Sequence, residues 1–217
     1  LSGGFAIAQL RCDPDAPAEL HRDCRRPLLY ASQRHWNGVR MFTVASGVAL
    51  ILSNLHVELS EINIDAASPL PLNGDLAFAS PDRLLMVNTT PPALSLIDTS
   101  IDEQGELANQ VLDSLPLCAN PNLLALWTPA DASHLAFVSC YSDRRVSVIS
   151  LDTFTSFRTL NLGEGPNELL IDEGRQRLYV ANVLEDSISL VSLDPTSPDY
   201  LREFATLGLG TRREPNP

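Results

Sequence analysis

The chain has 217 residues, with 27 carboxylates set against 15 arginines and no lysine, for a net charge of −12 and a pI near 4.6. A surface this acidic repels phosphate backbones and anionic lipid, so nucleic acid is not an expected partner. The most apolar stretch, Phe42 to Leu52, is broken by Ser46 and Gly47 and is too short for a bilayer-spanning helix, so direct membrane insertion is not expected either.

Read from the N-terminus, short apolar runs alternate with turn formers every eight to ten residues, and no 3.6-residue period supports helices. In the first unit Leu29-Tyr-Ala-Ser-Gln33 and Val39-Arg-Met-Phe-Thr-Val44 flank an Asn37-Gly38 turn, which predicts a hairpin. Val48 to Ile64 is long enough for a strand plus an inserted strand. The second unit holds Leu84-Leu-Met-Val-Asn88 and Leu94-Ser-Leu-Ile-Asp98 around Pro91-Pro92, followed by the acidic insertion Asp102 to Leu107. In the third, Leu123 to Thr128 reads as a first strand whose Trp127 packs in the core, ahead of Ala136-Phe-Val-Ser-Cys140 and Val146-Ser-Val-Ile-Ser-Leu-Asp152. The last unit gives four strands, Glu168–Ile171, Leu178–Ala181, Ser187–Leu193 and Tyr200–Leu207. Ile188, Leu190 and Leu193 are interleaved with serines in its third strand, while Val191 breaks the alternation, so both faces of this sheet are expected to be covered.

These phrases are copies of one another. Leu178 to Asp194 repeats Ala136 to Asp152 at a displacement of 42 residues, and the earlier copies are fainter. Anchoring each on Gln33, Asn88, Cys140 and Asn182 keeps a constant six-residue step to Val39, Leu94, Val146 and Ile188. Repetition at this period builds one supersecondary unit again and again. Leu178-Tyr-Val-Ala-Asn182 with the following Ser-Ile-Ser-Leu-Val-Ser-Leu-Asp resembles the YVTN family of β-propeller repeats. Gly163-Glu-Gly-Pro166 resembles that family's Gly-x-x-Pro lead into the first strand, and Ser80-Pro-Asp-Arg83 its first hairpin turn. The resemblance implies an all-β propeller of about four blades, each of four antiparallel strands, with approximate bounds 1–65, 66–117, 118–162 and 163–210. Residues 211–217 stand where a further blade would begin. Four blades are few for a closed ring, so the expectation is a fragment, a processed product or a half-ring completed by another chain.

Four cysteines form two neighbouring pairs. Cys12 and Cys24 flank a polar loop in the first unit, and Cys118 and Cys140 bracket the first hairpin of the third. Their spacing matches no zinc or Cys-x-x-Cys redox pattern. Bridges are expected, each closing one blade in an oxidising compartment, the first contributing about 3 kcal/mol by loop entropy. Free thiols in a reducing compartment are the alternative.

No compact catalytic constellation is visible. His21, His35, His56 and His134 lack the spacing of a metal pair, and no Gly-x-Ser-x-Gly elbow occurs. Gly163-Glu-Gly-Pro166 lacks the Lys-Ser/Thr of a phosphate loop. Carboxylate pairs such as Asp172-Glu173 and Glu185-Asp186 have no calcium-loop spacing and read as solvated turn charges. Asp98, Asp152 and Asp194 close the third strand of three units and are expected to cap backbone N–H groups. Asn88-Thr-Thr90 matches a glycosylation pattern that is common by chance. Trp36, in a turn beside Arg34 and His35, is a candidate partner contact.

The expected function is therefore a non-catalytic scaffold or protein-binding module with no cofactor and no metal. It would sit in the periplasm, at the cell surface or in secretions of a bacterium, alongside a protein partner or another propeller-forming chain. The alternative is a lactonase-like or redox propeller enzyme with a metal, haem or quinone at the channel mouth.

Overall fold

The computed structural model describes residues 5–8, 28–32, 38–44, 56–63, 72–80, 82–100, 108, 110–129 and 133–208, with side-chain surroundings from residue 74 onward. Every regular element among them is a β-strand. They form four sheets of four strands, each sheet made of consecutive strands in chain order. The first contains β1 (Phe5–Ala8), β2 (Leu28–Ser32), β3 (Gly38–Val44) and β4 (His56–Asn63). The second contains β5 (Leu72–Ser80), β6 (Arg83–Thr90), β7 (Ala93–Asp98) and β8 (Gln110–Pro116). The third contains β9 (Pro121–Trp127), β10 (Leu135–Cys140), β11 (Arg145–Ser150) and β12 (Thr155–Asn161). The fourth contains β13 (Pro166–Asp172), β14 (Arg177–Asn182), β15 (Ser187–Ser192) and β16 (Glu203–Gly208). The repeated sequence phrase occupies the central hairpin of each sheet. Of the ambiguous stretch from Val48 to Ile64, residues 56–63 form β4 and the rest lies outside the described residues.

The chain divides into two compact units, Leu1–Ser114 and Leu115–Pro217. In the first, β5 lies against β1 and β2. In the second, β13 lies against β9 and β10, so the two sheets stack with their leading strands adjacent. A single apolar cluster fills the space between them. Sheet three contributes Trp127, Leu135, Phe137, Val146, Val148 and Leu160; sheet four contributes Leu178, Val180, Val191, Leu193 and Leu201. Trp127 thus takes the core position its strand pattern predicts.

Turn chemistry explains why the meanders are tight. Tyr141–Arg144, Leu151–Phe154, Glu173–Gln176 and Val183–Asp186 each form a four-residue turn. Each closes on a non-glycine residue at positive φ: Arg144 at 53°, Phe154 at 50°, Gln176 at 50° and Asp186 at 52°. That conformation disfavours L-residues by about 1–2 kcal/mol, so the pairing on either side must over-determine it.

A second device recurs inside the sheets. Asn88 Nδ2 donates to Ser95 Oγ at 2.9 Å and Asn182 Nδ2 to Ser189 Oγ at 2.9 Å. At the matching place in sheet three, Cys140 Sγ lies 3.3 Å from Ser147 Oγ. In all three the partner sits seven residues on, diagonally across the central hairpin. Burial of Asn88 and commitment of its amide to Ser95 leave it unsuited to glycosylation.

One strand start differs from expectation. The last strand begins at Glu203, not Tyr200, because Leu201 adopts positive φ and turns its side chain into the core. Tyr200 makes only an isolated parallel bridge to Ser192.

Candidate interaction surface

The terminal aspartates do the work their position predicts. Asp98 Oδ1 accepts from Ser100 N at 2.8 Å and from Arg83 Nη1 at 2.9 Å. Asp194 Oδ1 accepts from Thr196 N at 2.8 Å and Thr196 Oγ1 at 2.7 Å. Asp152 Oδ2 accepts from His134 N at 3.4 Å, and His134 Nδ1 faces Asp152 Oδ1 at 3.5 Å. Asp98 and Asp194 cap the turns that follow them, whereas Asp152 reaches back to the backbone ahead of β10. Burial opposes ionisation of Asp98, but the Ser100 hydrogen bonds and the Arg83 guanidinium outweigh it and hold the carboxyl below its ordinary range. The Thr196 hydroxyl and backbone N–H do the same for Asp194.

Cys118 and Cys140 form a disulfide with their Cα atoms 5.8 Å apart. It ties the segment ahead of β9 to the end of β10, at the edge of the core. Cys12, Cys24, Arg34, His35 and Trp36 lie outside the described residues. Among the described residues no group of three or more His, Cys, Asp or Glu side chains converges as a metal site. None of their elements is a helix long and apolar enough to cross a membrane.

The feature that stands out lies on sheet four, on the face turned away from sheet three. Cross-strand register places Leu170, Tyr179, Leu190 and Ala205 in one row, and Ala181, Ile188 and Leu207 in the next. Sheet three carries the same rows, with Ala125, Phe137 and Val148 in one and Val146 and Leu160 in the next. There Phe137, Val146 and Val148 are fully buried and Leu160 is 4% exposed, because sheet four covers them. On sheet four the equivalent Ile188 is 40% exposed, Leu207 52% and Leu170 66%. Leu190 in the same rows is 7% exposed, so the open apolar surface is formed by Ile188, Leu207 and Leu170. Val183 and Leu184, exposed in the β14–β15 turn, extend the surface at one end. An expectation is thereby half met. Both faces of this sheet are apolar, as Val191 predicts; the Val191 face packs against sheet three, while the other is buried at Leu190 and exposed at Ile188, Leu207 and Leu170.

At the other end of this face the third row departs from the pattern. Sheet three has Leu135 beside Trp127; sheet four has Arg177 beside Asp172. The Arg177 guanidinium lies over the Phe204 ring, 5.2 Å from its centroid, a cation–π contact. Asp172 is engaged instead by Arg175 at 2.8 Å, the side-chain hydrogen bond that chiefly lowers its pKa. A shallow cavity of about 270 Å³ adjoins, lined by Arg175, Arg177, Asp194, Asp199 and Phe204. Its mixed charge gives it no preference for an anion or a cation.

Hydropathy alone does not reveal this surface, since Ile188 and Leu207 look like ordinary core. Superposing the 42-residue repeat on the order of the sheets would have found it, because it asks what covers each copy.

No protein-family model and no curated protein matches the sequence. Solved structures do match. A functionally unknown protein from Desulfotomaculum acetoxidans is 11% identical at a TM-score of 0.60, over 83% of this chain and 52% of that one. A candidate 6-phosphogluconolactonase from Bacteroides uniformis is 12% identical at 0.60, over 94% and 56%. Apo AztD from Citrobacter koseri is 10% identical at 0.54, over 95% and 46%. The chain spans about half the length of each structure. Identity this low shows the fold alone. With its successive four-stranded antiparallel sheets, that fold is a β-propeller.

Proposed function

We propose that the chain is a non-catalytic β-propeller scaffold or protein-binding module, a component of a larger assembly that works outside the cytoplasm. Its blades follow the approximate bounds 1–65, 66–117, 118–162 and 163–210 and are of the YVTN repeat type. The open apolar face of β13–β16 carries this reading, since contiguous exposed apolar surface of this kind marks a protein contact. The Arg34–Trp36 turn is a second contact assigned from sequence. The Cys118–Cys140 bridge supports the compartment, because disulfides persist in oxidising surroundings.

The test uses purified chain as bait at native concentration against an extracytoplasmic extract, with elemental analysis, an absorption spectrum and lactone hydrolysis measured in parallel. Specific capture of a protein, with no stoichiometric metal or chromophore and no turnover, is the expected result. Bound metal, haem or quinone with turnover would establish the enzyme alternative. A chain that captures nothing would overturn the scaffold reading.

A further inference from the structure

We infer that the groove between β12 and the turn ahead of β16 binds the carboxylate of a small organic monoanion. The inference goes beyond the scaffold reading and uses no part of the open apolar face of β13–β16. Three observations carry it.

The first is charge. Carboxylates outnumber arginines 27 to 15 in this chain, so an arginine left without an acid is unexpected. Arg144 faces Glu164 at 3.1 Å, Arg145 faces Asp143 at 2.7 Å and Arg175 faces Asp172 at 2.8 Å. Arg158 and Arg202 have no carboxylate partner among the described residues, and both line one cavity of about 390 Å³. The acid in that lining, Glu203, accepts from Thr206 Oγ1 at 2.7 Å. Two guanidinium groups therefore stand against one carboxylate. The cavity beside Arg175 and Arg177 has no such excess, because Asp194 and Asp199 balance it.

The second is preorganisation. Arg158 Nη1 donates to Tyr200 O at 3.1 Å and to Leu201 O at 3.3 Å. Leu201 presents that carbonyl from a turn closed at φ 54°, with its side chain fixed in the core. The guanidinium is thus held at the groove wall, and its remaining N–H groups have no partner among the described residues. A planar fork fixed in this way matches a carboxylate and loses little freedom on binding one.

The third is the backbone. β12 ends its sheet and pairs only with β11. Leu162 N donates to Arg144 O, so alternation along the antiparallel ladder aims the N–H groups of Thr159 and Asn161 away from β11. Both residues line the cavity, whose remaining lining is Leu160, Leu162 and Leu201. Donors thus surround an apolar base, which suits an organic acid. An excess of one positive charge on a strongly acidic chain favours a monoanion over a dianionic phosphate.

Nuclear magnetic resonance of the isotope-labelled 217-residue chain tests the proposal, with butyrate and inorganic phosphate titrated separately near neutral pH. Butyrate should shift the Thr159 and Asn161 amides and the Arg158 and Arg202 Nε–H signals together. The expected dissociation constant is on the order of 1–10 mM, as befits so small a ligand in an open groove. Arg202→Gln should weaken binding at least about tenfold, the worth of a charge-assisted hydrogen bond. Arg158→Gln should do the same but also frees the Tyr200 and Leu201 carbonyls. Arg202→Gln therefore decides the matter, since that side chain makes no hydrogen bond among the described residues. Arg175→Gln, outside the groove, should leave the titration unchanged. No saturable shift at these four groups, saturation indifferent to Arg202→Gln, or phosphate binding more tightly than butyrate would each overturn the inference. None of these results alters the capture of a protein from extract, so this site and the scaffold reading fail separately.

Discussion

Removing the Cys118–Cys140 bridge by Cys118→Ser with Cys140→Ser should lower stability by about 3 kcal/mol. The two cysteines are 22 residues apart, and the chain-entropy relation for a loop of that size gives about 11 cal/mol/K, or about 3.4 kcal/mol at 25 °C. Little else should change at the site. Serine at 140 keeps a group able to hydrogen-bond Ser147, where Cys140 Sγ now lies 3.3 Å away. For a chain of this length each kcal/mol corresponds to about 2–4 °C, so the midpoint of thermal unfolding should fall by about 7–13 °C. Differential scanning calorimetry, with far-UV circular dichroism of the same samples, measures it. The comparison must be made without reductant, so that any Cys12–Cys24 bridge is the same in both proteins.

The repeat supplies a sharper version. Asn88 and Asn182 occupy the place of Cys140 in their own sheets, and each donates to the serine seven residues on. Cys118→Ser with Cys140→Asn should therefore lie within about 1 kcal/mol of the double serine variant, because a donated bond to Ser147 is offset by a buried amide oxygen left without a partner, as at Asn88 and Asn182. A double serine variant that melts within about 2 °C of wild type would refute the entropic account. An asparagine variant more than about 2 kcal/mol less stable than the double serine variant would refute the equivalence of the three positions.

Phe137 is the largest fully buried side chain of the described residues, and Phe137→Ala should cost about 3–5 kcal/mol, read as a lower urea midpoint at unchanged slope. Gly165 sits at φ +65°, where a Cβ would stand 2.6 Å from Leu184 Cγ, so Gly165→Ala should destabilise by at least about 1–2 kcal/mol in the same assay. On acidification the lowered carboxyls of Asp98, Asp172 and Asp194 contribute stability that is complete above the ordinary value of 3.8 and is lost as pH falls through their depressed values. Asp98→Asn should flatten the acid limb of a urea-midpoint profile measured from about pH 6 to pH 2, and an unchanged limb would remove Asp98 from the account.

The strands were legible because the repeat fixes them. Once Asn88, Cys140 and Asn182 are aligned, the six-residue step to the next apolar residue locates each central hairpin. The caps at Asp98 and Asp194 follow from a carboxylate recurring where a strand must end. Exposure was not legible, because it depends on what packs against each face, and Val146 and Ile188 are indistinguishable in a hydropathy pattern. The start of β16 escaped for a local reason. Tyr200, Leu201 and Phe204 look like one apolar run, yet Pro195 and Pro198 shape a turn that Leu201 closes at positive φ.

The choice of cysteine at one of three equivalent positions has a physical rationale. In the asparagine sheets the amide nitrogen is satisfied, but Asn88 Oδ1 and Asn182 Oδ1 are buried with no hydrogen-bond partner among the described residues. Such an acceptor costs about 1–3 kcal/mol, comparable to what the donated bonds return. The amide therefore contributes little net stability. What it does supply is register, since only one pairing of the central strands lets Asn182 reach both Ser187 and Ser189. Sulfur carries no comparable demand for a hydrogen bond, so Cys140 avoids the orphaned oxygen. The bridge to Cys118 then ties β10 to the segment ahead of β9, a constraint between the first two strands of that sheet. Sheet four keeps the asparagine, and Gly163 is the reason its turn can close over it. Any Cβ there would lie 2.6 Å from Asn182 Nδ2, so the Gly163-Glu-Gly-Pro166 lead and the buried amide are one unit. The recurring Leu178-Tyr-Val-Ala-Asn182 phrase therefore records a packing requirement of the central hairpin.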